Sequence, residues 1–139
     1  MIDEFEKVIS RLRKKGYVLS MPRMVIIKYL LSNKNHHTAE SIHKAISKDY
    51  PSISVATIYN TLKLLTKEGF LKQLFIEGEK VFYDSTPGFH SHFICRICGK
   101  IKDVSEKPKK ICKINGDRVE EVYVYYYGLC EECKKGRKN

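Results

Sequence analysis

SVATIYNTLKLLTKEG, residues 54–69, is the stretch of sequence that decides the fold. Ser54 is a favourable N-cap and Gly69 a favourable C-terminal stop, so the spacing predicts one helix between them. Apolar residues recur there at helical spacing and predict a buried stripe: Ile58, Leu62, Leu65. The opposite face is largely polar and carries Ala56, Asn60, Lys63 and Lys67. Thr57 and Tyr59 lie at its edges. This pattern is typical of a helix whose apolar face packs on the core and whose polar face is available to a partner.

Three helical segments are predicted upstream of this helix. The first ends near Gly16 and has apolar residues at i, i+3, i+4 and i+7: Phe5, Val8, Ile9, Leu12. The second has Pro22 where a first-turn proline is tolerated, and its run over residues 25–31 is apolar nearly all round, which predicts a buried helix. The third is capped by Thr38 and ended by Pro51, with three residues turned inward: Ile42, Ala45, Ile46.

Downstream, FLKQLFIEGEKVFYD, residues 70–84, contains two strand-like runs around Glu77-Gly78-Glu79 and predicts a β-hairpin. Helices followed by a hairpin are the order of a winged helix-turn-helix. We therefore predict an α+β chain whose N-terminal winged-helix DNA-binding domain spans residues 1–83. The alternative is a generic small α+β core with a solvated polar helix face.

Residues 84–139 contain every cysteine and form a segment too small for a strong hydrophobic core of its own. The turn-forming residues 85–88 predict a hinge at its start, and residues 134–138 predict a frayed basic tail. We predict a small C-terminal α/β metal-binding and dimerisation domain over residues 84–139.

Two C-x-x-C pairs in this segment predict a structural zinc site. Each pair places two thiolates on one tight turn, and two turns supply four tetrahedral ligands: Cys95, Cys98, Cys130, Cys133. A dithiol redox pair is the alternative, but such a motif needs only one C-x-x-C. Cys112 has no partner at this spacing and is interpreted as a small buried hydrophobe.

Histidines and aspartates form a second group of candidate ligands: His36, Asp84, His90, His92, Asp103. His90 and His92 are two residues apart, so on a strand their imidazoles would share a face. Nitrogen and oxygen donors without thiolate suit Fe²⁺, Mn²⁺ or Zn²⁺. The alternative is an ordinary solvent-facing strand pattern.

Charge and hydropathy restrict the class of partner. The chain carries 26 Lys and Arg against 16 Asp and Glu, a net charge of +10, which suits a polyanion. No apolar run approaches the ~20 residues that cross a bilayer, and the N-terminus lacks the apolar core of a signal peptide. We therefore expect a cytoplasmic protein with no membrane partner.

The chain resembles the ferric uptake regulator superfamily along both halves. HHTAE (residues 36–40) is similar to the family's H-P-T-A-[DE], and SVATIYN (residues 54–60) matches its S-x-A-T-[VI]-Y. FYD (residues 82–84), HSHFICRICGK (residues 90–100) and GLCEEC (residues 128–133) follow its remaining motifs in order. Asp103 stands where many iron sensors of the family have glutamate, so the chain is most similar to the peroxide-responsive branch.

The resemblance implies a homodimer, joined through the C-terminal domain, that represses promoters when loaded with metal. It implies structural Zn²⁺ on the four paired cysteines and a regulatory site on the histidines and aspartates named above. In the peroxide-responsive branch this site holds Fe²⁺ or Mn²⁺, with Zn²⁺ as a surrogate, and peroxide oxidises an iron-bound histidine. Regulators of iron or zinc uptake share this ligand set to within one or two residues and are the alternatives.

A metal that binds both halves would fix the separation of two recognition helices in the dimer, which must match half-sites about one helical turn apart on operator DNA. We expect the following residues to contact DNA: Arg23, Thr57, Tyr59, Asn60, Lys63. Within this set, Asn60 suits an adenine edge and Tyr59 a thymine methyl, whereas Lys63 and Arg23 suit phosphates.

The chain departs from the family pattern at three places. The family's T-x-Q-R is Ser20-Met21-Pro22-Arg23 here, so the glutamine is absent, and His37 replaces the proline after the first histidine. The segment between Asp103 and Cys130 is short and contains no histidine, which argues against a further metal site there and predicts a reduced dimer surface.

Two rival classes follow from the same residues. Two histidines with a carboxylate suit a non-haem iron enzyme, although five protein ligands leave little room for a substrate. A zinc-ribbon module that binds RNA or protein is the other rival. The sequence contains no nucleophile elbow, phosphate loop or cofactor fingerprint, so we predict neither an enzyme nor a small organic substrate.

Overall fold

The computed structural model describes residues 3–76, 81–85, 91–105, 109 and 111–136. The chain divides into two compact units between Thr86 and Pro87. The sequence predicts this boundary before Asp84, whereas the structure places Asp84 in the first unit as the last residue of a strand. The predicted hinge at residues 85–88 and the hairpin turn at residues 77–79 lie mostly or wholly outside the described residues.

The described residues of the first unit form four helices and three strands. They follow in the order α1 (Glu4–Lys14), α2 (Met21–Ser32), β1 (His36–His37), α3 (Ala39–Ile46), α4 (Val55–Lys67), β2 (Lys72–Phe75), β3 (Val81–Asp84). Each helix begins at a residue whose side chain accepts a hydrogen bond from a backbone N–H of the first turn: Asp3, Ser20, Thr38, Ser54. The predicted caps Thr38 and Ser54 are confirmed.

One hydrophobic core holds these helices together. Five of its side chains, from all four helices, are fully buried: Leu12, Ile26, Ile42, Ile58, Leu62. The predicted inward stripe of α4 is confirmed, and Thr61 is buried beside it because its hydroxyl donates to the Thr57 carbonyl at 2.8 Å. The predicted burial of the run over residues 25–31 holds for one side of α2 only: Ile26, Ile27 and Leu30 are buried, whereas Lys28 is exposed.

The sheet of this unit has the order β1-β3-β2, with both pairings antiparallel. Strands β2 and β3 are the two arms of the predicted hairpin, which is confirmed by their register from Lys72 opposite Asp84 to Phe75 opposite Val81. Strand β1 is absent from the sequence-based prediction. It is two residues long and sets His36 opposite Asp84.

The part of the second unit that the structure describes consists of short strands and one helix. They are β4 (Ser91–Cys95), β5 (Ile101–Val104), β6 (Lys113–Ile114), β7 (Asp117–Arg118), β8 (Tyr125–Gly128) and α5 (Glu131–Gly136). Strand β4 is central, antiparallel to β5 and parallel to β8. Strands β6 and β7 form a separate hairpin, whose turn has Asn115 and Gly116 at positive φ of 50° and 87°.

Three local expectations are corrected. Cys112 is exposed rather than buried, because it lies in the thinly covered segment before β6. Residues 134–136 are helical rather than frayed, since the Lys134 N–H donates to the Cys130 carbonyl at 2.9 Å and anchors α5 to the second cysteine pair. Helix α3 ends at Ile46, before Pro51, in a turn that the Tyr50 N–H closes onto the Ile46 carbonyl at 2.8 Å.

None of the helices in the described parts of the chain has the length and hydropathy needed to cross a bilayer.

Candidate metal centres and nucleic-acid interface

The four paired cysteines come together in the second unit. Their sulfur atoms all lie within 4.8 Å of one another, and the Cys98 and Cys130 sulfurs are 3.8 Å apart. With Zn–S bonds of about 2.3 Å, the edge of a tetrahedron is about 3.8 Å. The cluster therefore fits a structural zinc ion in both donor type and spacing.

Pairing of β4 with β8 brings the two cysteine pairs together. The parallel register sets Cys95 beside Gly128, and the Arg96 N–H donates to the Gly128 carbonyl at 2.8 Å. A Cβ at Gly128 would lie 3.4 Å from the Phe93 ring, so a larger residue would press on the packing of this strand pair. Gly99, at φ 75°, closes the turn of the first pair.

The backbone around the cluster favours thiolate. Backbone N–H groups, above all that of Cys130 and then those of Cys98 and Ile97, point at the Cys95 sulfur and lower the pKa of Cys95 to about 6. The Cys133 thiol shares a hydrogen bond with Cys130 and is partly desolvated, which raises the pKa of Cys133 to about 12. Clustered thiols hold some protons because several adjacent negative charges repel, and a divalent cation removes that repulsion.

The first unit supplies one histidine–aspartate pair. His36 on β1 faces Asp84 on β3, with 3.7 Å between His36 Nε2 and Asp84 Oδ2. The side chains are only 7% and 0% exposed. A carboxylate is seldom buried to this extent unless a cation or hydrogen bonds compensate it.

The second unit supplies another pair of the same kind. His92 on β4 faces Asp103 on β5, with 3.6 Å between His92 Nε2 and Asp103 Oδ1. The His92 side chain is 5% exposed and that of Asp103 is 43% exposed. His90, the remaining predicted ligand, lies outside the described residues.

Both pairs have a separation that suits a shared cation. Distances of 3.6–3.7 Å are too long for a good hydrogen bond. They still allow both atoms of a pair to lie about 2.0–2.2 Å from one divalent ion. Imidazole and carboxylate donors without sulfur suit Fe²⁺, Mn²⁺ or Zn²⁺.

Helix α4 presents a polar, exposed face in the first unit. Tyr59 is 44% exposed, and Asn60, Lys63 and Lys67 are exposed beside it. A groove of about 490 Å³ runs along this face toward the hairpin, lined by Tyr59, Asn60, Lys63, Thr66, Lys67, Gln73 and Tyr83. Side-chain amides, two phenols and two ammonium groups in an open groove suit contact with a nucleic acid.

The other two predicted DNA contacts have structural roles in the fold. The Thr57 hydroxyl lies 2.9 Å from that of Ser54 and belongs to the N-terminal cap of α4. The Arg23 guanidinium donates to the Val18 carbonyl at 3.0 Å, which orients it at the start of α2.

One residue of this surface is missed by sequence reasoning. Glu40 in α3 accepts a hydrogen bond of 2.7 Å from the Tyr59 hydroxyl. The bond lowers the pKa of Glu40 and raises the pKa of Tyr59. The two residues are 19 positions apart, so no local pattern indicates the contact; the only signal is that Glu40 closes the motif HHTAE.

Comparison with known proteins agrees with these features. The family model described as the ferric uptake regulator family matches residues 14–127. The peroxide-responsive repressor PerR of Staphylococcus epidermidis is 36% identical over 137 residues, covering 95% of this chain and 91% of that protein.

Two solved structures are also similar. PerR from Streptococcus pyogenes is 31% identical with a TM-score of 0.57, covering 95% of this chain and 94% of that one. The ferric uptake regulator of Francisella tularensis, solved with iron, is 24% identical with a TM-score of 0.74, covering 86% and 96% respectively, and shows the shared fold. This chain therefore belongs to the ferric uptake regulator family, whose members are metal-dependent transcription repressors.

Proposed function

We propose that this chain is a peroxide-responsive repressor that binds operator DNA as a homodimer in the cytoplasm. The observation that carries the proposal is the β1–β3 pairing, which sets His36 opposite Asp84 in the same unit as the recognition helix α4. The similarity to PerR proteins and the aspartate at position 103 support the peroxide branch.

The regulatory ion is proposed to bind all five nitrogen and oxygen ligands: His36, Asp84, His90, His92, Asp103. Fe²⁺ or Mn²⁺ is the expected occupant and Zn²⁺ a surrogate. Because these ligands belong to both units, one ion would link the units and fix the spacing of the two recognition helices in a dimer. To shift a two-state equilibrium from 1:99 to 99:1, the ion must favour the linked form by about 5.5 kcal/mol.

The same site accounts for a response to peroxide. When bound, Fe²⁺ supplies redox chemistry toward peroxide, which Zn²⁺ does not. His36 and His92 are nearly buried beside their aspartates. Oxidation of either imidazole would remove one of the proposed ligands of the ion. Loss of one ligand weakens metal binding and with it the DNA complex.

We expect the DNA complex to respond differently to the three metals. The protein loaded with Fe²⁺, Mn²⁺ or Zn²⁺ is assayed for operator binding by gel shift, with and without peroxide. Binding should fall with iron plus peroxide and persist with manganese plus peroxide. Mass spectrometry of the histidine-containing peptides should then detect one added oxygen atom in the iron sample alone. Equal binding in all six samples would contradict the peroxide response. Operator binding that occurs with Fe²⁺ alone among the three metals would identify the iron-uptake alternative, and binding with Zn²⁺ alone would identify the zinc-uptake alternative.

Two substitutions on α4 should separate affinity from sequence readout. Lys63→Ala is expected to weaken binding to all sequences alike and to reduce the salt dependence by about one released counterion. Asn60→Ala should instead relax preference at one base pair, with a cost of about 1–3 kcal/mol at that position. Fluorescence anisotropy against single-base operator variants at several salt concentrations measures both effects. If Asn60→Ala changes all sequences equally, its side chain contacts phosphate rather than a base edge.

Because this chain belongs to a family of transcription regulators, the prediction that it is not an enzyme is confirmed. The non-haem iron enzyme, which the histidines and carboxylates suggest when considered alone, is therefore set aside.

A further inference from the structure

An acidic side chain lies beside the face of α4 that is proposed to meet DNA. Glu40 is exposed at the start of α3, and its carboxylate lies 2.7 Å from the hydroxyl of Tyr59. A carboxylate near DNA phosphates weakens binding by charge repulsion. Its presence therefore calls for a role other than affinity.

The Glu40 carboxylate is held on a rigid part of the fold. Thr38 and Ser41 form a capping box, in which each side chain accepts from the other residue's backbone N–H at 3.0 Å. The neighbouring residues Ala39 and Ile42 are buried in the core. The backbone at Glu40 is thus fixed on both sides.

Tyr59 has fewer constraints of its own. It lies on the exposed face of α4, 44% exposed, at the rim of the groove that Tyr83 also lines. A hydrogen bond to an ionised carboxylate is stronger than one to a neutral group and holds the phenol in one orientation. Ordering the ring before DNA arrives lowers the entropic cost of a base contact.

We propose that Glu40 is a positioning residue that holds Tyr59 in the orientation required for base contact, so that it strengthens binding to the operator relative to other sequences and adds nothing to binding of DNA in general. This inference rests on the proposed function, in which α4 binds operator DNA.

Three variants separate positioning from charge. Glu40→Gln keeps an acceptor and removes the charge, Glu40→Ala removes both, and Tyr59→Phe removes only the hydroxyl. The ratio of operator to random-duplex affinity is measured for each metal-loaded protein. We expect this ratio to fall about two- to ten-fold in Glu40→Ala and in Tyr59→Phe. It should fall less in Glu40→Gln, where a neutral acceptor keeps a weaker bond. The double variant should be no worse than either single variant, because both remove the same bond.

A second pair in the chain provides a matched control. Tyr123 donates to Glu121 at 2.9 Å in the second unit, in the same kind of bond. Glu121→Ala should leave the affinity ratio unchanged. An unchanged ratio in Glu40→Ala, equal changes in Glu40→Ala and Glu40→Gln, or additive effects in the double variant would overturn the proposal.

A measurement without DNA distinguishes failure of this proposal from failure of the proposed function. In protein labelled with ¹³C-tyrosine, the Tyr59 ring signals should move in Glu40→Ala and stay near the wild-type position in Glu40→Gln. Ring signals that coincide in all three proteins would overturn the positioning role even if operator binding is found. Loss of operator binding in the wild type, with the expected ring shifts present, would instead overturn DNA recognition by α4, and the selectivity role with it.

Discussion

Cys95→Ser is expected to abolish zinc binding and to unfold the second unit. The described residues of this unit bury few apolar side chains, chiefly Ile94 together with Cys95 and Cys130. Its strands are two to five residues long. Structural zinc contributes about 10–16 kcal/mol in small zinc-binding peptides, more than such a core supplies. Backbone N–H groups stabilise the Cys95 thiolate, and Cys95 is itself buried, so this position has few ways to replace the lost ligand.

The measurement is zinc content per chain together with near-ultraviolet circular dichroism, to which the tyrosines of β8 contribute. Cys112→Ser is the matched control, because Cys112 is exposed and lies outside the cluster. The control should retain zinc and the wild-type spectrum, whereas Cys95→Ser should lose both. A Cys95→Ser protein that retains zinc and unfolds at the wild-type temperature would show that the cluster does not stabilise this unit.

The helices and the cysteine cluster can be predicted from the sequence because each depends on residues that are close together in the chain. Ser54 and Thr38 cap their helices as hydrogen-bond acceptors within one turn, and a C-x-x-C pair fixes two sulfurs on one turn. A feature that depends on residues three or four positions apart can be predicted from those residues alone, without knowing how the rest of the chain folds.

Features that depend on distant pairing were not accessible in the same way. Strand β1 is two residues long, and only its pairing with β3 identifies it as a strand. That pairing determines that Asp84 shares a unit with His36, which the predicted boundary before Asp84 does not anticipate. The Glu40–Tyr59 bond is missed for the same reason, since it joins two helices through side chains. Residue type alone predicts a buried Cys112, whereas burial depends on how much of the chain covers a position, and Cys112 is exposed.

The two candidate metal centres differ in how far apart their ligands lie along the chain and in the type of donor atom. The cysteine cluster has all four ligands in one unit, and soft thiolates bind zinc tightly, so this site suits a permanent structural role. The histidine–aspartate pairs are divided between the units and contain harder donors that exchange divalent ions more readily. The regulatory role that we propose for these ligands requires such donors, because occupancy must change with the metal supplied.

His36→Ala is expected to reduce metal-dependent operator binding by at least about 100-fold. Substitutions of groups that only support a ligand cost about 10–100-fold in metal affinity, so removing a ligand itself should reach or exceed that range. The change also removes the imidazole that faces the buried Asp84 across the β1–β3 pairing. Apparent metal affinity by isothermal titration with Mn²⁺, and operator affinity with and without Mn²⁺, measure the effect.

His43→Ala is the matched control for this experiment. His43 lies in α3 of the same unit, outside the predicted ligand set, and should leave both affinities near wild type. Asp84→Asn should lower metal affinity and operator affinity as His36→Ala does, because it removes the charge of the facing ligand while preserving its shape. Zinc content must stay at the wild-type level in all three variants, since the cysteine cluster is separate from this site. If His36→Ala binds operator as the wild type does when Mn²⁺ is present, the ion that controls DNA binding does not use β1, and the link between metal occupancy and repression must be sought at another site.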